Sequence, residues 1–161
     1  MKREQKSLTN KGFSLVELII VVAIMAVLIG VLAPQYLRYV EKTRLQRDNT
    51  GISDFANVLK IAATEEKVNA EIAAAGATGI KYSFDTSTPP HITASGSTNL
   101  DTEVQLTVTL ADITITSNTY GKQTNKPELT VKVDSNGIVS VECANWIDTP
   151  NGSPSSTPKK F

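Results

Sequence analysis

From Phe13 to Ala33 the chain is apolar at nearly every position, Glu17 is the only charge among these 21 residues, and Pro34 closes the run. A helix of that length covers about 31 Å, the thickness of a bilayer's hydrocarbon core. Beyond Pro34 the charge content rises, yet Ile52, Phe55, Leu59 and Ala62, with Val58, Ile61, Val68 and Ile72 beside them, recur at three- and four-residue spacing. That pattern predicts one long helix from Phe13 to about Ala75, amphipathic in its second half and stopped by Gly76 and Gly79. Asp48-Asn49-Thr50 are poor helix formers, and with Gly51 they mark where a bend or break is expected.

Further on the pattern changes. Residues 83–100 are rich in Ser, Thr, Pro and Gly and read as an irregular loop. Val104, Leu106, Val108 and Leu110 then alternate with Gln105, Thr107 and Thr109, which predicts a half-buried strand, with Ile113 and Ile115 extending it or adding a short one. Glu128–Asp134 and Ile138–Ala144 flank Ser135-Asn136-Gly137 and predict a hairpin, because Asn-Gly readily adopts the positive φ angles of a tight primed turn. The segment from Pro150 to Phe161 reads as disordered. The fold class expected is α+β: a long N-terminal helix packed on a small antiparallel sheet of three or four strands. Its parts are a leader (1–12), a membrane or assembly helix (13–34), a stalk helix (35–75), a β-rich head (76–149) and a tail (150–161).

Charge adds an asymmetry to this outline. The formal net charge of the 161 residues is 0, but Lys2, Arg3, Lys6 and Lys11 stand against Glu4 alone in the leader, so the rest of the chain carries 0 minus 3, or −3. A mildly acidic, aromatic-poor body argues against a general nucleic-acid binder, although a local basic patch stays open. The four basic leader residues favour an orientation with the leader in the cytoplasm and the carboxyl-terminal part outside. Downstream of the apolar run, Arg38 to Arg47 form a basic cluster. It either meets anionic lipid headgroups or is a solvated face with Glu41 and Asp48 as counter-charges. Cys143 is the only cysteine, which excludes an intramolecular disulfide and suits a buried position on a strand.

Chemistry of the enzymatic kind finds little support. His91 is the single histidine and has no nucleophile motif or metal-ligand spacing near it, while Asp85, Asp101, Asp112 and Asp134 are scattered and read as surface residues. No catalysis, cofactor or metal is expected.

Glu17 is the anomaly of the apolar run, since a carboxylate inside a membrane helix costs on the order of 3 kcal/mol at the helix centre. Its place in the first turn and the Ser14-Leu-Val-Glu17 capping box reduce that cost. A cut after Gly12 offers a second role, because it would give Phe13 a charged α-amino group that Glu17 can neutralise, within one helix or between staggered neighbours.

Lys11-Gly12-Phe13-Ser14-Leu15-Val16-Glu17-Leu18, the apolar run and Pro34 together closely resemble the class III signal of type IV pilins and pseudopilins. The resemblance covers roughly the first third of the chain. It implies a pilin-like fold, cleavage between Gly12 and Phe13 by a prepilin peptidase, N-methylation of Phe13, and pairing of Glu17 with that amine on a neighbouring subunit. It further implies self-assembly into a filament, with membrane lipid around the helix beforehand and an assembly platform and ATPase motor as partners. Gly30 and Pro34 resemble the positions where such helices weaken inside the filament, a close helix–helix contact being the alternative for Gly30. The function expected is that of a structural filament subunit. Its rivals are a secretion pseudopilin and a membrane-anchored monomeric binding module. Many pilins pin the carboxyl-terminal region with a disulfide, which a chain with one cysteine must replace by packing.

Overall fold

The computed structural model describes residues 12–161, so the basic leader up to Lys11 lies outside the described residues. It divides into two compact units, one ending at Leu37 and the other running from Arg38 to Phe161. Helix α1 spans Leu15–Ala62, and Pro34 lies within it.

In the second unit α1 buries Leu45, Asp48, Ile52, Phe55, Ala56, Leu59 and Ala62. Most of these steps are three or four residues, the spacing of one helix face. The helix runs unbroken through Asp48-Asn49-Thr50-Gly51, because Asp48 and Asn49 have work on the head. The Asp48 carboxylate accepts Thr116 N–H at 3.1 Å, Thr116 Oγ1 at 2.9 Å and Ser117 N–H at 2.8 Å. Asn49 Nδ2 donates to the Ile147 carbonyl at 2.9 Å, and Asn49 Oδ1 accepts the Tyr120 hydroxyl at 2.7 Å. Two turns earlier Glu41 Oε1 accepts both Thr119 N–H and Thr119 Oγ1 at 2.7 Å.

The single helix expected to reach Ala75 is two. After Ala62 a turn at 63–65 leads into α2, Glu66–Ala74. At about 100° per residue, Val68 would stand on the opposite side of an unbroken helix from Leu59, nine positions earlier. The turn brings Val68 and Ile72 into the core instead. Thr64 Oγ1 donates to the Ile61 carbonyl and Asn69 Nδ2 to the Ala63 carbonyl, which satisfies groups that the break exposes.

A 3₁₀ turn, Gly76–Thr78, leads into strand β1, Ile80–Ser83, which lies between the helix stop expected at Gly76 and Gly79 and the loop expected from residue 83. Gly79 is required here. It has φ of 67°, and a Cβ would lie 2.5 Å from the Val131 carbonyl oxygen.

The strand expected over Val104–Leu110 is also different, for α3 spans Thr98–Thr107 and a second 3₁₀ turn covers Leu110–Asp112. Leu100 and Val104, four apart, are fully buried, whereas Leu106 is 76% exposed. Alternation alone could not distinguish this from a strand, since Val104 and Val108 also fit a helical repeat. Glu71 on α2 helps decide it: its Oε2 accepts the Asn99 and Leu100 N–H groups at 3.0 and 3.2 Å, which caps the helix start and places negative charge at its positive end.

A short helix α4, Asn118–Gly121, precedes the hairpin of β2, Glu128–Val133, and β3, Val139–Ala144. The hairpin is as expected, but its turn is not a two-residue primed turn. Of the turn residues only Gly137 has positive φ, 79°. Gly137 N–H donates to the Asp134 carbonyl, and Asp134 Oδ1 accepts the Asn136 and Ile138 N–H groups, so the aspartate organises a longer turn.

The segment after Pro150, expected to be disordered, returns to the sheet as β4, Lys159–Lys160. The four strands run antiparallel in the order β1-β2-β3-β4. Phe161 N–H donates to the Val141 carbonyl at 3.0 Å, and the Phe161 ring meets Trp146 edge-on at 5.6 Å. Lys159 Nζ lies 3.7 Å from the Trp146 ring centroid, while Glu142 bridges Lys132 and Lys160 at 3.3 and 3.4 Å. These aromatic and ionic contacts order a polar segment whose composition alone would leave it solvated.

Tyr82, Leu129, Val131, Val141 and Cys143 line the sheet's inner face and are fully buried against the helices. Phe55 of α1 meets Tyr82 edge to face at 5.4 Å. The architecture is therefore α+β, a long N-terminal helix packed on a four-stranded antiparallel sheet.

Candidate functional site: the amino-terminal segment

Gly12 is exposed, and Phe13 is 90% exposed. Among the described residues, a Cβ at Gly12 would meet nothing within 4 Å. Ser14 begins the helix: its carbonyl accepts Leu18 N–H at 3.2 Å, and its own N–H donates to Glu17 Oε2 at 2.9 Å. The second bond is the back-reaching half of the capping box expected from Ser14 and Glu17. It gives the one charge of the run a partner on its own backbone.

Every residue from Leu15 to Leu37 is exposed, including Ile19, Val22, Leu28 and Leu32. The most apolar 18-residue window of α1 has a mean hydropathy of 3.1, so the helix is long and apolar enough to cross a membrane. It continues through both Gly30 and Pro34. The balance of cations across the run is even, because the four basic leader residues are matched by Arg38, Lys42, Arg44 and Arg47 just beyond it. Charge counting therefore does not orient the span.

The other candidate residues serve the fold. Asp101, expected on the surface, is buried. Its carboxylate accepts the Tyr82 hydroxyl at 2.5 Å, Ser95 Oγ at 3.0 Å and Gly96 N–H at 3.1 Å. Burial, together with this bond, raises the Tyr82 pKa. Asp85 accepts Ser87 Oγ at 2.6 Å and His91 N–H at 3.0 Å, contacts that hold its carboxyl below the usual aspartate value. His91 Nδ1 faces both Ser87 Oγ, at 2.9 Å, and Asp85 Oδ2, at 3.3 Å. A nucleophilic relay needs the serine and the carboxylate on opposite ring nitrogens, so the three residues form a loop staple. Asp112 sits in the second 3₁₀ turn, on the rim of a groove of about 490 Å³ floored by Phe55, Val58 and Phe84.

Cys143 is fully buried and its thiol is pushed up to about 12 by desolvation. Among the described residues no cluster of His, Cys, Asp and Glu could hold a metal ion. Sequence reasoning missed Glu41, Asp48 and Asn49 as the side chains that fasten α1 to the head. The run of poor helix formers was the one signal pointing to them.

Residues 8–33 match the family model for the prokaryotic N-terminal methylation motif. No curated protein and no solved structure matched the chain. The matched segment contains Gly12, Phe13, Glu17 and Gly30 and stops one residue before Pro34. An exposed Gly12 and Phe13, a Glu17 held by the Ser14 N–H and an exposed apolar helix are thus properties of the very segment that carries the family signal, and the chain bears the class III signal and methylation motif characteristic of type IV pilins and pseudopilins.

Proposed function

We propose that the protein is the precursor of a type IV pilus-like filament subunit. In this reading it sits in the membrane with its leader in the cytoplasm and its head outside. A prepilin peptidase cuts between Gly12 and Phe13 and methylates the Phe13 amine, and a membrane platform with its ATPase motor then packs the apolar helix into a fibre. The role is structural, with no catalytic step of its own.

The observation that carries the reading is the environment of Glu17. Its carboxylate stands in an apolar helix beside the motif's Gly-Phe bond and is held by the Ser14 N–H. Cutting after Gly12 places a cationic α-amino group four residues away. A neighbouring subunit's amine then offers Glu17 a charge-assisted bond in a dry bundle, which favours one register over others.

Mass spectrometry of the amino terminus of mature cellular material tests this directly. The expected product begins at methylated Phe13; an intact leader would overturn the proposal and favour a membrane-anchored monomer. Electron microscopy of sheared surface material with an antibody to the head is expected to decorate fibres. Head confined to the cell envelope would redirect the assignment to a secretion pseudopilus.

A further inference from the structure

Arg38, Lys42, Arg44 and Arg47 follow the apolar run within one helix, and all four are exposed. Glu41 and Asp48 are interspersed with them and would neutralise half their charge on a solvated face. Neither carboxylate pairs directly with these cations, because both turn inward and are engaged by neutral donors of Thr119, Thr116 and Ser117 on the head. Among the described residues, no salt bridge engages any of the four cations. Arg47 lines a groove together with Asp54 and Asp112.

Two further features set the kind of partner. The cations are spread over about 14 Å of helix, at steps of four, two and three residues that distribute them around its exposed arc. A collar of this kind meets a surface surrounding the helix better than it meets a single docked chain. Side chains on a helix also lean toward its N-terminus, which here is the direction of the apolar run. Tyr36 and Tyr39, both exposed, stand beside the first cation with the amphipathic character of interfacial anchors.

We propose that Arg38, Lys42, Arg44 and Arg47 form a cationic collar that binds the anionic headgroups of the bilayer entered by the apolar run. The inference rests on the proposed membrane insertion of that run. The collar discriminates among lipids by charge, and its strength falls from Arg38 to Arg47 with distance along the chain from the run.

The test uses the full chain in phosphatidylcholine vesicles containing a minor fraction of phosphatidylglycerol. Flotation reads insertion, and electron paramagnetic resonance of trace spin-labelled lipids reads the composition of the shell around the helix. The wild type is expected to prefer labelled phosphatidylglycerol by about threefold or more, and salt at about 0.5 M should weaken this. The quadruple variant Arg38→Gln, Lys42→Gln, Arg44→Gln, Arg47→Gln should float equally well with its preference at least halved, the remainder being that of the basic leader. The leader is common to both chains, so their difference isolates the collar. Of the two half-variants, Arg38→Gln with Lys42→Gln should lose more than Arg44→Gln with Arg47→Gln, while Lys159→Gln with Lys160→Gln should lose nothing. Equal preference in wild type and quadruple variant would overturn the collar alone and reassign the cations to a neighbouring protein. A chain that does not float would sink the membrane reading, and the collar with it.

Discussion

Replacing Asp48 by alanine sets two effects of opposite sign against each other. Alanine is the better helix former by up to ~0.7 kcal/mol, so if Asp48 were only a weak point in α1 the variant would be more stable. The structure argues for the reverse. Asp48 is 4% exposed and its two oxygens take up the N–H groups of Thr116 and Ser117 and the Thr116 hydroxyl. Truncation strands two backbone donors at about 1–3 kcal/mol each, which after the gain in helix propensity leaves a net loss of about 3 kcal/mol. For a unit of this size that corresponds to a melting temperature lower by about 10 °C. Asp48→Asn should lose about half as much, because one acceptor survives while the new amide NH₂ faces a donor. Urea unfolding of the full chain in detergent micelles, followed by the fluorescence of Trp146, measures the difference. Asp54→Ala, at an exposed position of the same helix, serves as the reference and is expected within about 0.5 kcal/mol of wild type. A neutral or stabilised Asp48→Ala protein would refute the clamp.

Four other outcomes are expected. Glu17→Ala should stay membrane-bound and processed while its yield of sheared filament falls severalfold; normal yield would rule out registration by this carboxylate. If α3 is the helix described, Val104→Asp should destabilise the head by at least ~3 kcal/mol in urea while Leu106→Asp changes stability by less than ~1, whereas a strand with both on one face would make the two equally damaging. Cys143, buried and with its pKa raised to about 12, should resist alkylation at pH 8 until the head unfolds; rapid native labelling would contradict its position. Desolvation opposes ionisation of Glu142, but Lys132 and Lys160 outweigh it and lower its pKa below the ordinary 4.5. The stability this gives β4 is present above that ordinary value and lost as pH falls through the folded one. Acidification through the range below that ordinary value should therefore shift Trp146 emission, and Glu142→Gln should lack that step.

How much of this was legible in the sequence differs from element to element. The apolar run, the motif residues Gly12, Phe13 and Glu17, and the β2–β3 hairpin were visible because each is written in adjacent residues. Helix α3 was not, since Leu100, Val104, Leu106 and Val108 satisfy a period of two and a period near four together, and the Glu71 cap that decides between them comes from another element. The break after Ala62 follows from where the core lies, not from a local breaker. In the tail, two lysines become a strand, with Phe161 beside it, only because Trp146 and Glu142 are there to receive them. At the candidate site the sequence fully displayed Glu17 but not the inward turn of Glu41 and Asp48, because a carboxylate's partners on a folded head cannot be read from its neighbours on a helix.

Strand β4 has a consequence for life at high local concentration. Without it β3 would be an edge strand of six residues with unpaired backbone groups, a template on which another chain could add. Strand β4 covers part of that ladder and places two charged side chains, Lys159 and Lys160, on the strand beside β3. In the filament proposed above, heads would meet their neighbours constantly, and a sheet that continued from one to the next would join them side by side. A segment held by an aromatic contact and ion pairs would guard against such lateral fusion.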